Sequence, residues 1–387
     1  MKSAHRSWIE IDTKALTRNF QQFKKVLAHS TRSTRSGRLP LLMAIVKSNA
    51  YGHGMVECAK AFNKAGANFF GVDDIDEALV LRKAEIKKPI LVLGYTLPSR
   101  YAEASKKNIS ITVSSLEQMR RFKIHDSRFK NKLKIHLKID TGLHRQGISF
   151  KEIDKASRLI RANGRIILEG VHSHFASAEN PDKKGDVDFT KGQIEKFKNV
   201  INQVKAFGFN PIAHIAGTAA TLLYPESHFG MVRIGIGLYG LCPSKAMANV
   251  LKNISLKPAM SWKTIISEVK KVKKGERVGY DLTEKLARDS VLAVIPVGYW
   301  HGYPRSLSSK GEVLVRGKRA KIVGRICMDM CIIDVTGIMG AHEGDEVVII
   351  GKQGKEEITA EELSAQTETI NYEIVTRINP LLQRKFS

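Results

Sequence analysis

The chain has 387 residues, 43% hydrophobic content and a formal net charge of +25. Its length exceeds one typical domain and its apolar share is that of an ordinary globular protein, so two domains with sizeable cores are expected. No apolar run reaches signal-peptide or membrane-spanning length, which predicts a soluble cytoplasmic protein with no membrane partner.

Four cysteines, Cys58, Cys242, Cys327 and Cys331, are too few and too scattered for a disulfide framework. The lysines are spread along the chain, as at 130–134 and 270–274, with no aromatic platform among them. A solvated basic surface is expected, and no specific nucleic-acid partner.

In chain order, Trp8-Ile9-Glu10-Ile11-Asp12 predicts a first strand that pairs with the second domain. A polar loop is expected at 30–37. Eight β-branched runs follow, at 41–46, 68–72, 90–93, 109–113, 134–139, 166–172, 212–215 and 232–236, with amphipathic helical stretches between them. Asp74 and Ser149 each stand three residues before a glutamate, as helix caps do, and Gly66 and Gly164 follow helical patterns. Eight strands with helical connectors predict an α/β fold, a (β/α)8 TIM-type barrel over 13–243. Beyond Pro243, runs at 261–269, 291–297, 312–315, 321–323, 332–335 and 346–350 are separated by glycines and polar turns, and one helix is capped at Thr359. They predict a smaller, mainly β C-terminal domain made of 1–12 and 244–387.

Reactive residues of such barrels gather at the C-terminal strand ends, and phosphate is held after the last two strands. Lys47 follows the first strand and Arg145 the fifth, His172 and His174 end the sixth, Thr218 follows the seventh, and Arg233, Gly235 and Ile236 end the eighth. This set suits an aldehyde cofactor carrying a phosphate. A lysine amine can form an imine with it and exchange that for a substrate amine. Gly235 lets backbone approach phosphate oxygens while Thr218 donates a hydroxyl. Arg233 suits the pyridine nitrogen of such a cofactor, as a cation that keeps its protons. A ring nitrogen left unprotonated is a weaker electron sink and favours simple proton exchange.

The segments Ala44-Ile45-Val46-Lys47-Ser48-Asn49-Ala50-Tyr51-Gly52-His53-Gly54, Asp140-Thr141-Gly142-Leu143-His144-Arg145, Ser173-His174-Phe175-Ala176, Met231-Val232-Arg233-Ile234-Gly235 and Val323-Gly324-Arg325-Ile326-Cys327-Met328-Asp329 resemble the alanine racemase family, and the resemblance runs over essentially the whole chain. It implies pyridoxal 5′-phosphate as cofactor, alanine as substrate, and a homodimer with shared active sites. The implied activity is interconversion of L- and D-alanine by two-base proton transfer, supplying D-alanine for peptidoglycan. Lys47 is then the cofactor lysine and the base on one face; Tyr280, from the second subunit, is the base on the other. A carbon that has lost its proton is reprotonated from the opposite side to invert, which is why two bases are needed. A free tyrosine titrates near ~10, so such a base needs cations or hydrogen bonds around it. The resemblance assigns that support to His174 and Arg233. It gives the substrate carboxylate to Arg145 and to the backbone of Met328 from the other subunit, the phosphate to Tyr51, and the entrance to Tyr299. Lys138 matches a position that is carbamylated in some members. Gly217-Thr218 departs from the family's usual asparagine and serine, Trp300-His301 from a small residue and aspartate, and Thr376 stands where a phosphate-binding tyrosine is common.

Three rival readings are weaker. Gly235-Ile236-Gly237-Leu238-Tyr239-Gly240 spells a dinucleotide fingerprint but ends a strand run instead of opening a βαβ unit. His172, His174 and His214 with Lys138 would suit a metal-dependent hydrolase, yet that leaves Lys47 and Tyr51 without a task, and Cys327 with Cys331 has poor zinc spacing; no metal is expected. A barrel that only carries the cofactor would have no need of the β domain bearing Tyr280 and Met328.

Overall fold

The computed structural model describes residues 5–31, 39–122, 131–252 and 254–387, so the loop expected at 30–37 lies almost wholly outside the described residues. The chain divides into two compact units. One comprises Leu16–Ala50 and Met55–Lys257; the other comprises Met1–Ala15, Tyr51–Gly54 and Pro258–Ser387. The first strand, β1 (Ser7–Ile11), belongs to the second of these.

The larger unit is a barrel of eight parallel strands, β2 (Leu41–Ile45), β3 (Phe69–Val72), β4 (Ile90–Val92), β5 (Ile109–Val113), β6 (Leu133–Lys138), β7 (Ile166–His172), β8 (Ile212–His214) and β9 (Met231–Ile234). Each strand from β2 to β7 pairs with its successor and β9 pairs with β2, which leaves β8 and β9 facing across the seam. The ring closes where the Gly230 and Arg233 amides donate to the Ala213 and Ala216 carbonyls, each at 3.0 Å. The strands read as continuous apolar runs because helices cover one face and the packed barrel interior the other. Asp74 caps the helix Ile75–Lys83, accepting from the Glu77 amide at 2.8 Å, and Ser149 with Glu152 forms the expected capping box. Gly66 is left-handed (φ +100°). Gly164 is not: extended Asn163 ends the helix Ile153–Ala162 and feeds the chain into β7, so no left-handed residue is required. The β6–β7 register slips once, from Ile135 opposite Leu168 to His136 opposite Gly170, which makes Glu169 the extra residue of a bulge.

The other unit is mainly β. It contains β10 (Met260–Ile265), β11 (Glu268–Val272), β12 (Arg277–Val278), β13 (Glu284–Lys285), β14 (Ser290–Ile295), β15 (Glu312–Val315), β16 (Lys318–Val323), β17 (Cys331–Asp334), β18 (Glu346–Gln353), β19 (Glu356–Ile358) and β20 (Gln383–Phe386). The sheet runs β11-β14-β17-β16-β15-β18-β10-β1-β20; β1 pairs within this unit, as expected, and lies between β10 and β20, the latter a strand the sequence pattern does not announce. The run expected at 261–269 is two strands. The Ile266 amide bonds to Asp345 beside β18 while the Ser267 amide bonds to Val294 in β14, so the chain changes partner there. The β12–β13 hairpin carries Tyr280, over a small core of Val278, Leu286, Leu292 and Val323. Thr359 caps Ala360–Gln366 as expected. No helix among the described residues is long and apolar enough to cross a membrane.

Candidate active site

Lys47 leaves β2 into an unusual backbone: Ser48, Asn49, Ala50 and Tyr51 all have φ of 53–54°. Four L-residues in succession form a left-handed turn, a conformation that costs each roughly 1–2 kcal/mol through its Cβ. Several bonds hold it. The Ala50 amide donates to Val46 at 2.9 Å, the Met55 amide to Asn49 Oδ1 at 3.0 Å and the Ser48 amide to Glu77 Oε1 at 2.6 Å. The second Glu77 oxygen takes the Asp73 amide at 2.8 Å. Lys47 Nζ, partly exposed, pairs with Asp73 Oδ1 at 3.0 Å. Neither Asp73 nor Glu77 is visible as a site residue in the sequence, because both act on Lys47 and its turn from the next strand–helix connection.

Arg233 is buried and makes contacts to two imidazoles and three carbonyls. Nη1 reaches His214 Nδ1 at 2.9 Å and the His214 carbonyl at 3.1 Å. Nη2 reaches the Ser173 and Ile215 carbonyls at 2.8 and 2.9 Å and His174 Nδ1 at 3.0 Å. Burial lowers its guanidinium to about 10, still a cation at neutral pH. His174 keeps an exposed face, so solvent tempers the effect of burial; together with the cations Arg233, Arg145, Lys138 and Lys47 that burial drives it downward, and it is neutral. Lys138 is buried, with Nζ 3.1 Å from Gln146 Oε1; burial, then Arg145, Arg233 and Lys47, bring its amine down to about 8. Arg145 is exposed on the loop after β6.

At the last strands, the Gly235 amide donates to Thr218 Oγ1 at 3.1 Å, joining the β8 and β9 loops. A Cβ on Gly237 would stand 2.6 Å from the Phe23 ring and 2.7 Å from Thr218 Cγ2, so the backbone approaches closely only because this residue is glycine. Ile236 is buried at the start of a 3-10 turn that ends at Tyr239, whose hydroxyl donates to the Ile45 carbonyl at 2.8 Å and ties this loop to the end of β2. The glycine-rich hexapeptide is thus a tight turn closed by left-handed Gly240, with no βαβ unit behind it. Both ring nitrogens of His214 are engaged, by Arg233 and by His136, and among the described residues no group of His, Cys, Asp or Glu is arranged to hold a metal.

Lys47, Lys138, Arg145, His174, Thr218, Arg233, Gly235 and Ile236 all lie in the barrel unit; Tyr51, Tyr280 and Met328 lie in the β unit. Tyr51 stands 6.0 Å, ring to ring, from Tyr372, a residue that sequence reasoning passed over. A Cβ on Gly52 would meet the Val375 carbonyl at 2.0 Å, so the tyrosine turn lies directly on the helix Asn371–Thr376. Thr376 turns its hydroxyl back onto the Tyr372 carbonyl at 2.7 Å, and it is Tyr372 that presents an aromatic beside Tyr51. Tyr280 is 68% exposed, in a turn braced by an Asp281–Arg325 ion pair at 3.0 Å. The Tyr299 and Trp300 amides donate to the Cys327 and Met328 carbonyls at 3.1 and 2.9 Å, and the side chains of Tyr299, Trp300 and Met328 are all exposed. His301 is buried and accepts the Gly298 amide at 3.2 Å, so of the departing Trp300-His301 pair only the tryptophan faces outward.

The alanine racemase N-terminal domain matches residues 11–243 and the C-terminal domain residues 259–386. Alanine racemase of Halothermothrix orenii is 39% identical over 98% of this chain and 96% of its own; that of Leptospira interrogans is 40% identical over 99% and 96%. Alanine racemase from Streptomyces lavendulae superposes with a TM-score of 0.91 at 34% identity, covering 100% of this chain and 98% of that one. The Bacillus anthracis alanine racemase solved with bound L-Ala-P gives 0.91 at 35%, covering 100% and 96%. The chain therefore belongs to the alanine racemase family.

Proposed function

We propose that the protein interconverts L- and D-alanine as a cytoplasmic, pyridoxal 5′-phosphate-dependent homodimer, supplying D-alanine for peptidoglycan. One observation carries the reading. A lysine amine, a buried guanidinium and a glycine-flanked backbone turn converge on the C-terminal rim of one parallel barrel. These groups fit the cofactor. Lys47 offers the amine for covalent attachment, Arg233 a fixed donor for the ring nitrogen, and Ile236 and Thr218 donors for the phosphate at the turn that Gly235 opens; in the β unit, Tyr51, with Tyr372 as its neighbour, offers a hydroxyl for the same group. When bound, the cofactor supplies the electron sink that acidifies the α-proton of the amino acid it carries.

The protein's own groups then handle that proton. Lys47 Nζ removes or returns it on one face, and the partner subunit's Tyr280 does so on the other. His174 accepts from Arg233 at Nδ1, so its ring proton sits on Nε2, where it can donate to a phenolate. Arg145 and the partner subunit's Met328 backbone receive the substrate carboxylate. Lys138, with its amine near 8 and flanked by Arg145, can take up carbon dioxide as a carbamate that pairs with that arginine. The exposed Tyr280, Leu282, Tyr299, Trp300, Met328 and Met330 supply an apolar face for a second copy of the chain.

The test is an assay of purified protein with each alanine enantiomer, with and without added cofactor. Either enantiomer yields the racemate only when cofactor is present; no interconversion overturns the reading. Lys47→Ala and Tyr280→Phe chains, each inactive alone, regain activity when mixed under subunit exchange; no recovery overturns the shared site.

A further inference from the structure

The barrel interior buries more polar groups than proton transfer requires. His136, His172 and His214 are 0–3% exposed, and Glu169 stands beside them. We propose that Glu169 and His136 are positioning residues for Arg233, acting through His214 along a hydrogen-bonded chain whose protons can run in only one direction.

The chain has three bonds. Arg233 Nη1 meets His214 Nδ1 at 2.9 Å, His214 Nε2 meets His136 Nδ1 at 2.8 Å, and His136 Nε2 meets Glu169 Oε2 at 3.2 Å. A guanidinium only donates and a carboxylate only accepts. Arg233 therefore requires a lone pair on His214 Nδ1, which puts the His214 proton on Nε2. That proton requires a lone pair on His136 Nδ1, which puts the His136 proton on Nε2, facing Glu169. A charged His136 would donate from Nδ1 as well, force the His214 proton onto Nδ1, and set it against Arg233. Only two neutral imidazoles satisfy all three contacts.

The ends and the surroundings agree with this order. Burial would raise the Glu169 carboxyl, but bonds from His136, Ser110 and Lys134 overcome it and hold it down at about 2, so it remains an acceptor. Burial lowers both His136 and His214, and the groups around them are His172, stacked on His214 at 4.9 Å, the Arg233 cation, and Lys134, whose Nζ is 3.1 Å from Glu169 Oε1. The backbone is shaped for the chain. The β7 bulge is what brings Glu169 to His136, and a Cβ on the next residue, Gly170, would stand 2.2 Å from His136 Nδ1. Without that polarity His214 would present a proton to Arg233 and push the guanidinium off its carbonyl acceptors.

The test begins with ¹⁵N-histidine-labelled protein free of cofactor, with assignments from His136→Phe. Between about pH 6 and about pH 8, His136 and His214 are both expected neutral with the proton on Nε2. A proton on Nδ1 of either ring overturns the proposal. Glu169→Gln, which keeps an acceptor oxygen, retains both tautomers and loses less than about threefold in kcat; loss of the tautomers overturns the proposal. His136→Phe cuts the chain and lowers kcat about tenfold, a usual scale for removing the partner of a functional group, with KM for alanine unchanged. A folded His136→Phe protein within about twofold of the parent also overturns it. If that variant does not fold, the two rings are assigned instead by the ¹⁵N–¹⁵N coupling across their 2.8 Å hydrogen bond, and the tautomers of the unaltered chain decide. The kinetic arms rest on Arg233 as the cofactor's partner, whereas the tautomers are read without cofactor. Correct tautomers in a protein that does not racemise alanine therefore fault the functional reading and leave this one standing.

Discussion

Replacing Ser48 by glycine is expected to stabilise the barrel while slowing the enzyme. Ser48 is exposed and sits at φ 54°, ψ 53°, so its side chain contributes no burial and carries the left-handed cost of an L-residue, roughly 1–2 kcal/mol. Glycine removes that cost but brings its own chain entropy, about 0.5–1 kcal/mol, leaving a net gain of about 0.5–1 kcal/mol. Ala50 is the internal control. It has the same backbone (φ 54°, ψ 50°) but its methyl is fully buried. Ala50→Gly therefore returns about 0.8 kcal/mol of lost burial against the same relief and comes out near zero. Urea unfolding, with midpoints compared at unchanged slope, reads both differences. A destabilised Ser48→Gly protein, or equal gains in the two variants, would mean that the left-handed turn carries no such cost. Because the turn aims Lys47, the rate of Ser48→Gly should fall as its stability rises.

Three further outcomes follow from the barrel interior. His136, His172 and His214 are all held below the usual imidazole range by burial, so the unfolded chain takes up their protons first as the pH falls. Stability is full above about pH 6.5 and is lost on acidification, by up to ~1.4 kcal/mol per pH unit for each histidine; urea midpoints that stay flat down to about pH 5 would contradict this. Gly170→Ala drives a methyl into the His136 ring and should cost ~1–3 kcal/mol in the same unfolding assay, whereas a neutral effect would mean the ring is not fixed. The neutral fraction of the Lys138 amine rises through pH 8, so samples equilibrated with ¹³C-labelled carbon dioxide above that pH should show a carbamate carbon signal that Lys138→Gln lacks. Identical spectra from the two proteins would exclude the modification.

Much of the fold was legible because its strands are buried on both faces and so read as uninterrupted apolar runs. All eight barrel strands lie within a residue or two of the expected runs. Where the reading went astray, a tertiary partner decided. The chain at Ile266 and Ser267 changes strands because Asp345 and Val294 offer it acceptors, which no local pattern announces. Gly164 reads from the sequence as a helix stop, but the chain enters β7 through extended Asn163. Of the proposed site residues, Lys47 and Arg233 can be read from their strand ends. Asp73, Glu77 and Tyr372 cannot, since each acts on a residue distant in sequence. The β7 bulge is a register effect, so Glu169 reads from the sequence as one more strand residue.

If the protein acts as proposed, the amine at Lys47 carries the cofactor. Borohydride reduction of the protein loaded with pyridoxal 5′-phosphate, followed by digestion and peptide mapping, tests it most directly. A single reduced adduct is expected, on the peptide containing Lys47. A label on Lys138 or on any other lysine, or none at all, would contradict it.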